Sequence, residues 1–341
     1  MWRRIKQDKG VEKNVVLIGK FCRFACLQEC RKMGNSVAIL LSAYNGEKFI
    51  EEQIESIFNQ RGIENFVLIV RNDGSEDATW EILKKLQEQH PNIEIINGPN
   101  IGGVPSFFEL LRYAAERNFD FYSLCDQDDY WLPEKLASAM KAIEENRGPW
   151  LYGACSMLAN ETLEASGRCT QRKLREISFY NSAIQNFSPG HNQVLNKKLV
   201  DAILLHTKVS PKIYSHDMWI TQVASVVGGI VFDNTPHVLY RQHTKNQLSY
   251  GLGSIGWIKA HLDRLKKGEG NRIAVQLKYF AECFGDYFDS EQHREIHDFF
   301  HLQNSLIKRF YYIFHTKLYR QKRAETLLFK LIYLLGGYRL R

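Results

Sequence analysis

FDFYSLCDQDDYWLP, residues 119–133, is the stretch that decides the fold. Its first half alternates aromatic and apolar residues, which predicts a buried strand. The strand runs into three carboxylates, Asp126, Asp128 and Asp129, and Pro133 then favours the start of a helix. Open α/β sheets bind their ligands at the carboxyl ends of their strands. In an extended segment Asp126 and Asp128 can face one divalent cation, although an acidic turn without a ligand is the alternative interpretation.

Apolar runs and amphipathic segments alternate before this stretch. The runs predicted as strands are 37–43, 66–71 and 93–96, and the predicted helices are 47–60, 77–89 and 105–117. This order predicts a right-handed, doubly wound, mostly parallel α/β sheet with helices on both faces. Strands in such a sheet share one carboxyl edge. The polar turns at 44–45, 72–73 and 126–129 are therefore expected to converge.

The second half of the chain predicts a mixture of helices and strands. The predicted elements are a helix at 133–146, a strand at 151–159, a loop or lid at 168–175, helices at 199–206 and from Ser215, and strands at 228–234 and 237–243. From residue 254 the composition becomes helical and basic, whereas residues 1–36 form a basic extension, helical or loose. The predicted division is therefore an extension (1–36), a central domain (37–253) and a helical C-terminal region (254–341).

The composition of the chain limits the classes of protein to which it can belong. The chain has 341 residues, 44% of them hydrophobic, and a net charge of +7, which suits a globular protein that meets anionic ligands or an anionic membrane surface. The positive charge is not gathered into one aromatic-rich patch, which argues against nucleic-acid binding. Seven cysteines, an odd number, favour a reducing compartment, and Cys22, Cys26 and Cys30 match no common zinc spacing. Without a signal peptide or a spanning apolar run, a cytoplasmic protein is expected.

Three ordered motifs resemble the inverting glycosyltransferases of family 2, which have the GT-A fold. The motifs are Ser42–Gly46, Asn72–Thr79 and Asp126–Asp129 with Pro133. Two later stretches, His216-Asp217 and Tyr240–His243, are similar to the bacterial rhamnosyltransferase branch. The resemblance covers roughly residues 37–250 and leaves both ends of the chain outside it.

The resemblance implies a nucleotide-sugar donor, whose leaving diphosphate is neutralised by a divalent cation, Mg²⁺ or Mn²⁺. Asp128 is expected as the main metal ligand, with Asp126 and His243 completing the set. The residues expected to bind the donor are Ser42, Ala43, Tyr44, Asp73, Asp126 and Arg241. Asp73 would accept a hydrogen bond from the base and Arg241 would hold phosphate. An Asp-Gly turn also needs no function, so a structural role for Asp73 stays open.

Inversion needs a base that deprotonates the acceptor hydroxyl, and the resemblance implies Asp217 for that role. An aspartate before the apolar run that follows it is also a good helix N-cap or first-turn residue, and this alternative stays open. The residues expected to line the acceptor site are Gly190, His191, Asn192 and His216. His216 is expected to face the acceptor or to be structural rather than to act as a second base.

The function implied is transfer of rhamnose, from dTDP-rhamnose, to a polysaccharide or lipid-linked acceptor in cell-envelope synthesis. The basic, apolar segment 327–341 is expected to pack as a helix, with peripheral contact at the inner membrane face as the alternative. A nucleotidyltransferase is a rival function, but the loop at 42–49 has one glycine and one lysine where a glycine-rich basic loop is expected. A non-catalytic partner subunit is the other rival.

Overall fold

A computed structural model of the chain describes residues 35–243 and 268–340. The described strands are β1 (Val37–Ala43), β2 (Phe66–Asp73), β3 (Ile93–Gly98), β4 (Phe121–Cys125), β5 (Tyr130–Trp131), β6 (Trp150–Ala154), β7 (Met157–Ala159), β8 (Ala165–Cys169), β9 (Val194–Asn196), β10 (Gly229–Asp233) and β11 (Val238–Arg241). The described α-helices are α1 (Ile50–Phe58), α2 (Thr79–Gln89), α3 (Gly103–Ala115), α4 (Lys135–Ile143), α5 (Phe179–Ser182), α6 (Lys197–His206), α7 (His216–Val227), α8 (Glu269–Phe284), α9 (Ser290–His301), α10 (Leu306–His315) and α11 (Arg323–Leu334).

Some predictions fall outside the described residues. They are the shape of the N-terminal extension as far as residue 34, the three cysteines within it, and the domain boundary near residue 253. The proposed division of the chain into three parts therefore stays a prediction.

The main sheet has seven strands in the order β10-β6-β9-β4-β1-β2-β3. The pairs β1–β2, β1–β4, β2–β3 and β6–β10 are parallel, and β9 runs antiparallel to β4 and to β6. The predicted order of strands and helices as far as residue 125 and the predicted fold class are thus confirmed: a large, mostly parallel sheet in an α/β fold.

Side chains that alternate along the central strands build two separate cores, one on each face of the sheet. Val37 and Ile39 of β1 point to the face covered by α1, α2 and α4. Ala38 and Leu40 point to the opposite face, where α3, α6 and α7 pack. This alternation is why the continuous apolar runs in the sequence correspond to strands buried on both sides.

A second, four-stranded sheet has the order β5-β11-β7-β8. The single strand predicted at 151–159 is wrong, because the chain leaves the main sheet after β6 and joins the small sheet as β7. The break lies at residues 155–156, where the backbone N–H of Ser156 donates to Thr170 Oγ1 at 2.8 Å. The loop predicted at 168–175 starts later than expected, since residues 165–169 form β8.

The C-terminal helices pack against the same core as the sheet. Trp219 of α7 stacks on Tyr279 at 5.4 Å between ring centroids and meets the edge of Phe280 at 5.8 Å, both in α8. The helices predicted beyond residue 254 are therefore present from Glu269 onward, and they belong to the core on the face of the sheet that α7 covers. Within the two described ranges, none of the helices is long and apolar enough to cross a membrane.

Candidate active site

The carboxyl ends of β1, β2 and β4 meet at the centre of the candidate site. Gln127, after β4, accepts a hydrogen bond from the backbone N–H of Tyr44 at 2.8 Å and donates one to its carbonyl oxygen at 3.0 Å. The backbone N–H of Asn45 donates to Ser75 Oγ, after β2, at 3.0 Å. The three polar turns are therefore in direct contact, as strands that end at one edge require.

The three residues predicted to line the nucleotide site after β1 differ in accessibility. Ser42 Oγ shares a hydrogen bond with Ser106 Oγ at 2.6 Å, and Ala43 is buried. The Tyr44 side chain is 43% exposed. Of these three side chains, that of Tyr44 is the most accessible to a ligand, whereas Ser42 is half-buried.

Asp73 is buried at the end of β2 and holds the neighbouring loop. Its two carboxylate oxygens accept hydrogen bonds from the backbone N–H groups of Ile101 and Gly102, each at 2.9 Å. The Arg71 guanidinium also pairs with it. These contacts give Asp73 a structural role, and its predicted contact with a nucleotide base stays a prediction.

The acidic motif after β4 is bent rather than extended. Asp126 and Asp129 each place an Oδ2 atom near His191 Nδ1, at 3.5 and 3.4 Å. One ligand atom from each of these three residues lies within 4.8 Å of the others, a grouping that can hold a metal ion. The sequence singled out Asp126 as a ligand but assigned His191 to the acceptor and left Asp129 unassigned.

Asp128 faces a different histidine. Its Oδ2 atom lies 2.9 Å from His243 Nε2, and the two side chains are 22% and 9% exposed. Asp126 is 40% exposed, whereas Asp129 is 1% exposed. A cation that also binds the diphosphate of a soluble donor needs protein ligands that are accessible from solvent. Asp126 and Asp128 are accessible enough for such a contact, whereas Asp129 is buried. Among the described residues, the three-residue grouping close enough to hold one ion contains neither Asp128 nor His243, so the predicted set of Asp126, Asp128 and His243 stays a prediction.

The chemistry of this cluster fits a divalent cation. Carboxylate oxygens and imidazole nitrogens are suitable ligands for Mg²⁺ or Mn²⁺. In addition, Asp129 Oδ2 is buried and accepts no hydrogen bond within the part of the chain that the structure describes. An unsatisfied anionic oxygen in a protein interior is costly unless a positive charge lies close by.

Crowded negative charge perturbs the pKa of each group in the cluster. Burial, with the charges of Asp128 and Asp126 adding to it, raises the pKa of Asp129 to about 8. Burial and then the charge of Asp126 raise the pKa of Asp128. At Asp126 burial is outweighed by the hydrogen bond and charge of His191, so its pKa is lowered. At His191 burial is outweighed by the two carboxylates, so its pKa is raised. A bound cation would relieve this repulsion.

Asp217 lies in the first turn of α7 and accepts four hydrogen bonds. Its Oδ1 accepts from Ser215 Oγ and from the backbone N–H of Met218, the latter at 2.9 Å. Its Oδ2 accepts from Asn186 Nδ2 at 2.7 Å and from the backbone N–H of Gly190 at 3.2 Å. Ser215 is the N-cap residue. The carboxylate is therefore held in one orientation, which suits a base as well as a first-turn residue.

A single 3-10 turn, Gly190–Asn192, connects Asp217 with the acidic cluster. Gly190 donates to Asp217, and the next residue, His191, contacts Asp126 and Asp129. Two consecutive residues thus bridge the predicted base and the predicted metal site. The structure brings together these two parts, which the sequence placed about 90 residues apart.

The residues predicted to line the acceptor site are less exposed than expected. His191 and Asn192 are buried, and both contact Ser156 Oγ, through Nε2 at 2.7 Å and through Nδ2 at 2.6 Å. His216 stacks on Phe107 with ring centroids 4.1 Å apart. These contacts position the site, and direct contact with an acceptor stays a prediction for all four residues.

Arg241 is buried and its guanidinium is already engaged. It donates from Nε to the carbonyl oxygen of Asp128 at 2.9 Å, from one terminal nitrogen to the carbonyl oxygen of Glu161 at 2.5 Å, and from the other to Glu52 Oε2 at 2.6 Å. Contact with a phosphate would require these bonds to rearrange. Its observed contacts brace the loop that carries Asp128.

Three residues that shape the site were missed by sequence reasoning. Asn186 and Ser156 lie in no motif, and their contacts with Asp217 and His191 depend on chain crossings that no local pattern reveals. Lys135 lies in the helix predicted at 133–146 and was assigned no role from the sequence. Its position two residues after Pro133, next to the acidic turn, was the available signal.

Lys135 is buried beneath the cluster, and we expect it to make stability depend on pH. Its Nζ donates to Ser123 Oγ at 2.9 Å and lies 3.5 Å from the centroid of the Trp131 ring. Burial lowers its pKa from 10.5 to about 7. At a pH between these two values, Lys135 is protonated in the unfolded chain and neutral in the folded chain. The free energy of unfolding should therefore rise with pH across this window and fall as pH drops through 7.

Urea unfolding at several pH values between about 7 and 10 tests this expectation. The variant Lys135→Met should lose this rise relative to the wild type. Lys141→Met, which removes an exposed lysine from the same helix, is the control and should keep it. Parallel pH profiles for Lys135→Met and the wild type would contradict the expectation.

The chain is similar in sequence to several glycosyltransferases. Residues 38–159 match the model of glycosyl transferase family 2. The dTDP-rhamnosyl transferase RfbG of Shigella flexneri is 27% identical over 255 residues, which cover 72% of this chain and 85% of that protein. A glycosyltransferase of Methanocaldococcus jannaschii, MJ1057, is 26% identical over 63% of this chain and 72% of its own length.

Solved structures share the fold at low sequence identity. Residues 1–349 of S. aureus TarS, in complex with UDP-GlcNAc, align with a TM-score of 0.52 and 16% identity over 89% of both chains. The mannosyltransferase PcManGT of Pyrobaculum calidifontis, in complex with GDP-Man and Mn²⁺, aligns with a TM-score of 0.51 and 15% identity over 88% of this chain and 85% of that one. The mixed α/β fold with C-terminal helices is thus that of GT-A glycosyltransferases.

Proposed function

We propose, from the premise that residues 38–159 are a glycosyl transferase family 2 domain, that the chain is an inverting, metal-dependent glycosyltransferase. It moves a sugar from a nucleotide donor to a hydroxyl of a growing glycan or a lipid-linked acceptor. The donor is dTDP-rhamnose, as the name of its relative in Shigella flexneri suggests.

The observation that carries the proposal is the bridge formed by Gly190 and His191. Gly190 donates a hydrogen bond to the Asp217 carboxylate, and His191 contacts the Asp126 and Asp129 carboxylates, so one turn contacts both groups. A reaction that joins an acceptor hydroxyl to an activated sugar needs a base on one side and stabilisation of the leaving diphosphate on the other. The two groups of carboxylates are suited to these two tasks.

In the proposed reaction the acceptor oxygen attacks the anomeric carbon from the face opposite the nucleotide. A bond forms between them while the bond to the diphosphate oxygen breaks, so the configuration inverts. Asp217 takes the hydroxyl proton, and Asn186 and the Gly190 N–H keep the Oδ2 side of its carboxylate oriented. The electron pair of the broken bond between the anomeric carbon and the diphosphate oxygen leaves with the nucleoside diphosphate.

Asp126, Asp128 and His243 would hold the divalent cation. When bound, such an ion acts as a Lewis acid that neutralises the diphosphate. Arg241 keeps the Asp128 backbone in place, since it donates to the carbonyl oxygen of that residue. Asp73 and Arg71 secure the loop at 99–102, and Tyr44 offers an exposed ring to the nucleotide.

A donor panel tests the proposed function. We expect the full chain, with Mn²⁺ or Mg²⁺, to turn over or hydrolyse dTDP-rhamnose and to be far less active on UDP-glucose, UDP-galactose and UDP-N-acetylglucosamine. Release of the nucleoside diphosphate is the measurement. Preference for a UDP-sugar would refute the donor and keep the reaction class. No release from any donor, with metal-dependent binding retained, would favour a non-catalytic subunit.

A further inference from the structure

The last two helices expose a row of large apolar side chains. Five lie on α10 at helical spacing and three on α11 or directly after it. The residues of this outer apolar face are Leu306, Ile307, Phe310, Tyr311, Phe314, Leu327, Leu331 and Leu335. Ile307 is 82% exposed and Leu335 is 74% exposed, so the core of the protein does not cover these side chains.

Both helices rest on α9, which fixes where these faces point. The hydroxyl of Tyr312 in α10 donates to Glu295 Oε1 at 2.5 Å, and that of Tyr333 in α11 donates to the carbonyl oxygen of Phe299 at 2.8 Å. The two tyrosine rings lie 4.3 Å apart between centroids. On an α-helix, residues 307, 310 and 314 lie opposite position 312, and residue 311 lies at the side of the helix. The outer apolar face is therefore directed away from α9 and away from the body of the protein.

The same part of the chain is strongly basic. Residues 302–340 contain eight lysines and arginines and one acidic residue, Glu325. Glu325 is buried and lies 3.7 Å from Lys322. Of the acids on α9, Glu291 is paired with Lys317 at 2.5 Å. Lys308 on α10, Arg323 on α11 and Arg339 shortly after α11 are exposed, so the two helices that carry the outer apolar face also carry accessible positive charge.

We propose that the outer apolar face of α10 and α11 docks on an anionic lipid bilayer, with both helices lying in the plane of the interface. Amphipathic helices with a basic border bind in this way, because apolar side chains enter the acyl boundary while cations meet lipid phosphates. The helices have 10 and 12 residues, too few to span a bilayer. The surface lies outside the proposed active site and does not depend on the proposed reaction.

A second copy of the chain is the other occupant to consider. A two-fold interface places the same patch of both copies face to face. Here that arrangement would bring two basic borders together, which like-charge repulsion disfavours. Charge complementarity therefore favours a lipid surface over self-association.

Vesicle binding of the full chain tests the proposal. We expect the wild type to sediment with phosphatidylcholine vesicles that contain phosphatidylglycerol, and much less with phosphatidylcholine alone. The triple variant Ile307→Glu, Phe310→Glu, Phe314→Glu should bind at least about tenfold more weakly, because it places charge where apolar contact is needed. Leu205→Glu is the matched control, since Leu205 is 77% exposed on α6, and should bind like the wild type.

Several outcomes would overturn the proposal. One is equal partitioning of the triple variant and the wild type, and another is equal binding to vesicles with and without phosphatidylglycerol. A wild-type dimer in light scattering that the triple variant disrupts would assign the face to a second copy. If the triple variant fails to fold, Lys308→Glu with Lys330→Glu replaces it and should also weaken binding. Nucleotide binding, measured in parallel, separates failure of this surface from failure of the active site.

Discussion

Replacement of Asp217 by asparagine is expected to lower sugar transfer by about 10²-fold or more while donor affinity stays nearly unchanged. The amide has almost the same shape as the carboxylate and its oxygen can still accept from the Met218 N–H, but it has no useful proton affinity. The donors around Asp217 come from Asn186, Gly190, Ser215 and Met218, and the variant loses part of this set. Transfer is measured in single-turnover assays, and donor affinity by calorimetry.

Ser215→Ala is the matched control for the helix terminus. It removes the N-cap hydroxyl and should cost about 1 kcal/mol of stability. The donors from Asn186, Gly190 and Met218 still hold the Asp217 carboxylate, so the variant should keep most of the activity. Thermal unfolding of both variants shows how much of any loss is structural. If Asp217→Asn retains most of the transfer rate and only its melting temperature falls, the first-turn interpretation of Asp217 is the correct one.

Replacement of Asp128 by alanine should weaken metal-dependent binding of dTDP by about 10²-fold or more. We expect this loss to exceed that caused by removing a residue that only hydrogen-bonds to a metal ligand. The reason is that Asp128 is accessible, is paired with His243 at 2.9 Å and supplies an oxygen that the other carboxylates cannot replace without moving. Calorimetry with dTDP in the presence and absence of Mn²⁺ measures the effect.

Asp201→Asn serves as the control for charge alone, because Asp201 is an exposed carboxylate of α6 that pairs with Lys197 at 2.7 Å. It should bind dTDP and Mn²⁺ like the wild type. Wild-type binding that is equally tight with a chelator present would contradict the assignment of a cation to this cluster, whatever the variants do.

The order of strands and helices was predictable because each element carries its own local pattern. Continuous apolar runs such as 37–43 and 66–71 correspond to β1 and β2, and the polar turns after them do converge. The prediction failed at 151–159, where apolar residues continue through Ser156 although the chain changes sheets. The pattern of apolar residues shows which positions are buried. Residues on both sides of Ser156 are buried, each group in its own sheet, so the pattern alone cannot locate the point where the chain changes sheets.

The carboxylates of the candidate site could be predicted from the sequence, whereas the residues that contact them mostly could not. Asp126, Asp128 and Asp217 follow recognisable motifs, whereas the contact of Asp217 with Asn186 and that of Asp129 with His191 join residues 31 and more than 60 positions apart. Long-range contacts of this kind depend on how the strands cross. The burial of Arg241 and Lys135 was hidden for the same reason, since charged residues beside a motif are usually exposed.

The pairing of Asp128 with His243 also has a consequence for biosynthesis. The two residues are 115 positions apart, and His243 follows β11, the strand that returns to pair with β5. A ribosome needs on the order of ten seconds to add a segment of that length. During that interval a nascent chain already has its acidic turn but lacks the His243 imidazole, so the polypeptide should complete this pair late, after most of the main sheet has been made.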